Sequence, residues 1–206
     1  TGYKQLEGVT LCGCLVHAKR KFHDAVAASP DNEIAKKGEG YIRKLFAIED
    51  KADKDGLSIE ERYSIRQTES RKIFDEFYEW IASVEHKILP QSLVGKAIKY
   101  ALNQKEYLAS FMLDGRIQLS NNLAEQSVKP FVIGRKNWLF SNTINGAKAS
   151  TTIYSIIQTA IANELKPEKY LEFLFTQIQN GKDVAKLVPW SDEIPDYCRL
   201  KKAQQK

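Results

Sequence analysis

Asn122 and Glu125 stand three residues apart at a helix start, and a carboxylate placed there has two uses. One is structural: an Asn N-cap answered by Glu at the third helical position makes a capping box, and an acidic first turn suits the helix dipole. The other is chemical. Between Glu125 and Glu164 the chain carries no acid, while Lys129, Arg135, Lys136 and Lys148 all lie in that interval. A carboxylate beside such a stretch can hold a divalent metal next to cations that hold phosphates, as two-metal phosphodiester chemistry requires. The run Arg135-Lys136-Asn137-Trp138 sharpens this use: Gly134 frees the backbone, the cations neutralise phosphates, and Trp138 offers a ring on which an unpaired base can stack. Leu139 and Phe140 beside it suit Trp138 equally well to a core.

Two further clusters bear chemistry. Cys12, Cys14, His17 and His23 include thiolates and imidazoles that zinc accepts, but no second C-x-x-C accompanies them. The alternative is that Cys14 packs in a core while His17 makes a polar contact near the site. Lys19-Arg20-Lys21 is a second cationic run, either a solvated face or a contact for a polyanion.

The elements that must position these residues follow from periodicity. Val9 to Val16 is a short, nearly continuous apolar run that reads as a strand buried on both faces, and His17 opens a basic helix closed by Pro30. A strand leading straight into a helix is the grammar of an α/β fold. From 31 to 90 the pattern is instead amphipathic and helical, with Ile34, Tyr41, Ile42, Leu45, Phe46 and Ile48 on one stripe and Ile73, Phe77, Trp80, Ile81, Val84 and Ile88 on another. Ser58 with Glu61 forms a capping box that starts the second helix. This segment carries eleven Lys/Arg against fourteen acids and reads as an inserted, acidic helical hairpin. Leu93, Ala97, Ala101, Leu108 and Phe111 define a further helix before the Asp114-Gly115 turn, followed by a strand-like stretch at 116–119. After Pro130 and Gly134, residues 137–140 read as an extended or turn segment. Apolar helices come next around Ile153–Ile161 and after Pro167, then a loose polar tail beyond Trp190.

Composition bounds the class. The 206 residues are 43% hydrophobic and 28% charged, with no run of eighteen apolar residues, which excludes membrane-spanning and disordered readings. Net charge is +5, and residues 91–150 supply most of it with eight Lys/Arg against three acids. A polyanion contact belongs there. Three cysteines, an odd number, point to a reducing, cytoplasmic setting. The single methionine is the internal Met112, so a piece of a longer protein is the expectation.

Four motifs in fixed order complete the reading: Gly13-Cys14-Leu15-Val16-His17-Ala18-Lys19-Arg20-Lys21-Phe22, Lys99-Tyr100-Ala101-Leu102-Asn103-Gln104, Asn121-Asn122-Leu123-Ala124-Glu125-Gln126-Ser127-Val128-Lys129-Pro130, and Gly134-Arg135-Lys136-Asn137-Trp138-Leu139-Phe140. Together they resemble the C-terminal part of the insertion-sequence-66-type DDE transposases. That resemblance implies an α/β ribonuclease-H-like core, truncated at its N-terminus here and mostly α-helical in this chain. Two aspartates and a glutamate of such a core hold two Mg²⁺ ions for DNA strand cleavage and transfer. Only the glutamate carries over, onto Glu125 as catalytic residue and metal ligand. The second aspartate is expected just before Thr1, so this stretch alone is expected to be inactive.

The resemblance further implies site-supporting roles for Cys14, His17, Asn121 and Asn122, with Cys14 and His17 matching a C-x-x-H signature. DNA contacts fall to Lys129, Arg135, Lys136, Asn137 and Trp138. Gln126 stands where the family pattern has arginine. The implied organisation is core at 1–30, helical insertion at 31–90, core with the Glu-bearing helix at 91–164, and a C-terminal helix and tail at 165–206. The implied partners are transposon-end and target DNA and further copies of the chain on that DNA, in a bacterial, nucleoid-associated setting without a membrane. The rival is a non-catalytic DNA-binding or assembly module.

Overall fold

The computed structural model describes residues 7–138 and 141–200, with 135–138 described by their backbone alone. Its described residues are mostly helical and contain no strand; one isolated bridge pairs Leu165 with Arg199. No helix among them is long and apolar enough to cross a membrane. The chain divides into two compact units, 1–123 and 124–206.

In the first unit, α1 (Leu15–Ala28) packs against both α2 (Glu33–Lys54) and α5 (Leu93–Asn103). Its apolar positions Leu15, Ala18, Phe22 and Ala25 recur every three or four residues and are all buried. Between α2 and α5 run α3 (Ile59–Ile65), a π-turn at Arg66–Ser70, and α4 (Arg71–Val84). Asn32 caps α2 through Ala35, and Ser58 with Glu61 forms the reciprocal capping box at α3 that the spacing predicts. The two apolar stripes meet across this hairpin: Ile42, Leu45, Phe77, Trp80 and Ile81 are buried, with Ile34, Tyr41, Phe46, Ile73, Val84 and Ile88 packed around them. Phe22 contributes to the same core edge-on to Phe77, with ring centres 5.9 Å apart. A Cβ at Gly38 would collide with the Phe22 ring, so glycine there lets α1 and α2 approach. After α5 come the short α6 (Lys105–Ala109) and a 3₁₀ turn at Ser110–Leu113.

The strand expected at Val9–Val16 is absent. Residues 9–14 run without regular structure into α1, and this segment docks by single bonds: Gly13 N–H to Tyr107 O at 2.6 Å and Leu15 N–H to Leu119 O at 2.8 Å. A Cβ at Gly13 would lie 2.8–2.9 Å from the backbone of Tyr107 and Leu108, so only glycine permits the approach. The strand-like reading of 116–119 fails as well: Asp114 accepts from the Arg116 N–H, making a turn instead of a ladder.

In the second unit, α7 (Asn122–Trp138, entered from the first unit) runs through Pro130 and Gly134, so 137 and 138 are helical where an extended or turn segment is expected. Pro130 has no N–H for the carbonyl of Gln126, but residues 121–130 are all exposed, so water can serve that carbonyl. Residues 139 and 140 lie outside the described ones. Helices α8 (Ile144–Ala162) and α9 (Pro167–Gln179) bury Ala160, Tyr170, Phe173 and Leu174 with Leu165. The tail to residue 200 belongs to this core, contrary to the loose tail expected. Leu187, Ile194 and Cys198 are buried, Tyr170 donates to Leu187 O, and Lys166 and Leu200 donate their backbone N–H groups to Cys198 O and Glu164 O.

Candidate active site

Glu125 lies in the first turn of α7, exposed, where the peptide dipoles favour an acidic side chain. The helix begins at Asn122, one residue earlier than the capping-box spacing requires. Asn121 therefore stands just before it and Glu125 fourth within it, and Asn122, itself exposed, is the first helical residue.

The approach to this helix is held at both ends within the first unit. At its near end, the Asn121 N–H points to the Cys14 sulfur at 3.5 Å and Leu15 N–H binds Leu119 O, joining parts of the chain more than a hundred residues apart. Two expected supporting residues, Cys14 and Asn121, are thus brought together. Cys14 is buried, as its core reading requires, and His17 is half-buried in the first turn of α1 with its N–H on Cys14 O. At the far end, Arg66 donates to Phe111 O at 2.8 Å and Asp114 O at 2.7 Å, and Gln67 donates to Met112 O.

Arg66 is 1% exposed and held by Glu49 through two bonds of 2.7 Å; Arg62 adds a third to the same carboxylate. A buried guanidinium persists only when its donors are satisfied, and here two carboxylate oxygens and two carbonyls do so. Sequence reading missed Glu49, Arg66 and Gln67. The available signal was Arg62 and Arg66 four apart, on one helical face of an otherwise acidic insertion. A polar cleft of about 420 Å³ opens beside this pair, lined among others by Glu49, Asp53, Arg62, Arg116 and Ser120. Paired hydrogen bonds from Arg116 hold the Asp114 carboxyl down at about 2.

Cys12, Cys14, His17 and His23 do not assemble. Cys12 is exposed with its thiol toward Thr10 O, and His23 lies 3.2 Å from Glu39 of α2. Among the described residues no group of three or more His, Cys, Asp or Glu is placed to hold a metal ion, which removes the zinc reading there. The same observation applies to Glu125: it is one carboxylate, and described neighbours do not complete a divalent-metal site around it.

In the second unit, Lys129 is exposed on α7, and Phe131 meets Tyr154 edge-on at 5.2 Å to join α7 to α8. A groove of about 450 Å³, lined by Ser127, Val128, Phe131, Tyr154, Gln158 and Thr159 among others, runs between these helices. Arg135, Lys136, Asn137 and Trp138 continue α7, while their side chains lie outside the described ones.

The model of the Transposase IS66 family matches residues 1–149. Uncharacterized protein y4hP of Sinorhizobium fredii (strain NBRC 101917 / NGR234) is 30% identical over 195 residues, covering 88% of this chain and 35% of that protein. Uncharacterized protein y4qI of the same organism is 31% identical over 194 residues, covering 90% and 34% respectively. The chain therefore spans about a third of the length of the curated relatives it matches. No solved structure matches it.

Proposed function

The chain belongs to the Transposase IS66 family, and from that premise we propose that it is the glutamate-bearing part of a DDE-type DNA transposase. The observation that carries the reading is the family match across residues 1–149, which includes both Glu125 and the Cys14–Asn121 contact at the entrance to its helix.

In this reading the whole protein cuts and rejoins DNA at element ends on a ribonuclease-H-like core, and Mg²⁺ supplies charge stabilisation at the phosphodiester. Glu125 contributes one carboxylate, and the remaining metal ligands come from outside the described residues. Cys14 and Asn121 seat the strap that leads into α7, with His17 and Asn122 beside them. Lys129, Arg135 and Lys136 hold the DNA backbone, with Asn137 and Trp138 for polar and stacking contacts with bases. Further copies of the chain assemble on the same DNA, in the bacterial cytoplasm at the nucleoid. By themselves the 206 residues bind DNA without cutting it, because Glu125 is the one carboxylate of the catalytic three assigned within them and does not hold two metal ions alone.

The test is Glu125→Gln in the protein that carries this chain, assayed on duplexes containing element ends. Mg²⁺-dependent strand cleavage is expected to vanish while DNA affinity in EDTA stays within about twofold. A variant that still cuts removes Glu125 from the catalytic set. A second reading, a DNA-binding or assembly module without chemistry, is favoured because no group of three or more His, Cys, Asp or Glu among the described residues is placed to hold a metal ion. It predicts salt-dependent DNA binding and no cleavage from wild-type protein under any metal condition.

A further inference from the structure

Two of the four sequence motifs take no part in the catalytic reading beyond Cys14 and His17: the basic end of the first, Ala18–Phe22, and the whole of Lys99–Gln104. They fall on α1 and α5, which pack against each other in the first unit. Each lies in an acid-free stretch of sequence, 8–23 and 86–105, so folding sets these two basic stretches of an otherwise acidic unit side by side.

Their solvent faces are cationic. On α5 the buried positions are Val94, Gly95, Ala97, Ile98 and Ala101, which leaves Lys96, Lys99 and Asn103 exposed on the opposite face at helical spacing. From α1, Lys21 reaches across to place its ammonium 5.0 Å from the centre of the Tyr100 ring. At the start of α6, Lys105 lies 4.8 Å over Tyr78, whose hydroxyl is fixed on Ala101 O. Cation–π contacts hold these stems in place while the charges stay at the surface. Asp24 and Glu106 border the ridge.

Five acids of the unit are engaged elsewhere: Glu49 and Asp53 with arginines, Asp114 with Arg116, Glu33 with Lys36 and Glu39 with His23. No ion pair among the described residues includes Lys21, Lys96, Lys99 or Lys105.

We propose that Lys21, Lys96, Lys99 and Lys105 form a track for the sugar-phosphate backbone of duplex DNA, separate from the cations of α7. Lysine is a point charge without the planar fork that reads a base edge, so the track binds backbone irrespective of sequence. The inference rests on the DNA-handling reading above and adds a second grip on the same substrate.

The test uses the 206-residue chain in EDTA and a fluorescent duplex of about 30 base pairs of arbitrary sequence, titrated at several salt concentrations. Each phosphate that is no longer neutralised lowers the slope of log K against log salt by about 0.9, so Lys21→Gln/Lys96→Gln/Lys99→Gln is expected to lower it by about 2–3. Affinity at about 0.1 M salt should fall at least about tenfold. Lys51→Gln/Lys54→Gln/Lys72→Gln removes the same charge from exposed positions on α2 and α4 and should stay within about twofold of wild type. Equal losses in the two triple variants overturn the track and reduce the effect to net charge. A ridge variant that binds as wild type, with Lys129→Gln weakened, overturns the track and leaves the DNA reading standing. Wild-type protein that binds no duplex overturns both.

Discussion

Arg66 is the residue on which the entrance to the glutamate helix most depends, because one side chain closes four hydrogen bonds to three residues in two segments of chain. Removing only the Arg66 cation leaves the buried Glu49 carboxylate with Arg62 as its one remaining cationic partner and two carbonyls without their donor. Arg66→Met should therefore destabilise the first unit by about 3–5 kcal/mol in denaturant unfolding. Exchanging both partners, Glu49→Leu with Arg66→Met, removes the buried charges together and should recover most of that loss. If the double variant is as unstable as the single one, the bonds to Phe111 and Asp114, and not the charge pair, carry the stability. Little of this network is legible in the sequence, since Glu49 and Arg66 are 17 positions apart and neither type marks burial. The Asn122–Glu125 spacing, by contrast, locates the helix start to within one residue, because cap chemistry is local.

At the scale of elements, what is legible is whatever short-range chemistry decides. Ser58 and Glu61 start α3 as their spacing requires, and the hydroxyl and carboxylate each accept a backbone N–H of the other residue. Ser58→Ala should cost about 1 kcal/mol, read from the unfolding of the first unit. The Ser58 N–H, helped by its hydroxyl, holds the Glu61 carboxyl below its ordinary 4.5. A carboxyl depressed in the folded state contributes stability that is present above its unfolded value and is lost as pH falls through the folded one. Glu61→Gln keeps an acceptor but does not titrate, so it should flatten the acid limb of stability below about pH 4.5. An unchanged acid limb would place that dependence on other carboxyls. The apolar run at Val9–Val16 misleads because a strand and a buried approach to a helix share one pattern. The choice is made by Tyr107 and Leu119, about a hundred residues away, whose carbonyls offer single bonds and not a ladder. Pro130 misleads for a related reason: its cost inside a helix depends on whether water reaches the freed carbonyl, which the sequence does not encode locally.

For the whole molecule, sequence pattern places the helical hairpin but not the division of the chain, because both units are built from the same amphipathic helical pattern. Each unit nevertheless closes a core of its own. In the first, the aromatic cluster of Phe22, Phe74, Phe77, Tyr78 and Trp80 joins α1 to α4. In the second, Tyr170 reaches Leu187 O at 2.7 Å and ties α9 to the segment that follows it. Phe77→Ala opens a cavity at a 1% exposed position and should cost about 3–5 kcal/mol. Tyr170→Phe deprives a buried carbonyl of its donor and should cost about 1–3 kcal/mol. Hydrogen exchange resolves where each loss falls, since amide protection follows the free energy of the cooperative unit that must open. Phe77→Ala is expected to lower protection along α2, α4 and α5, and Tyr170→Phe along α9 and the 184–198 segment. Protection lost uniformly over all described helices in either variant would mean that the two cores open as one.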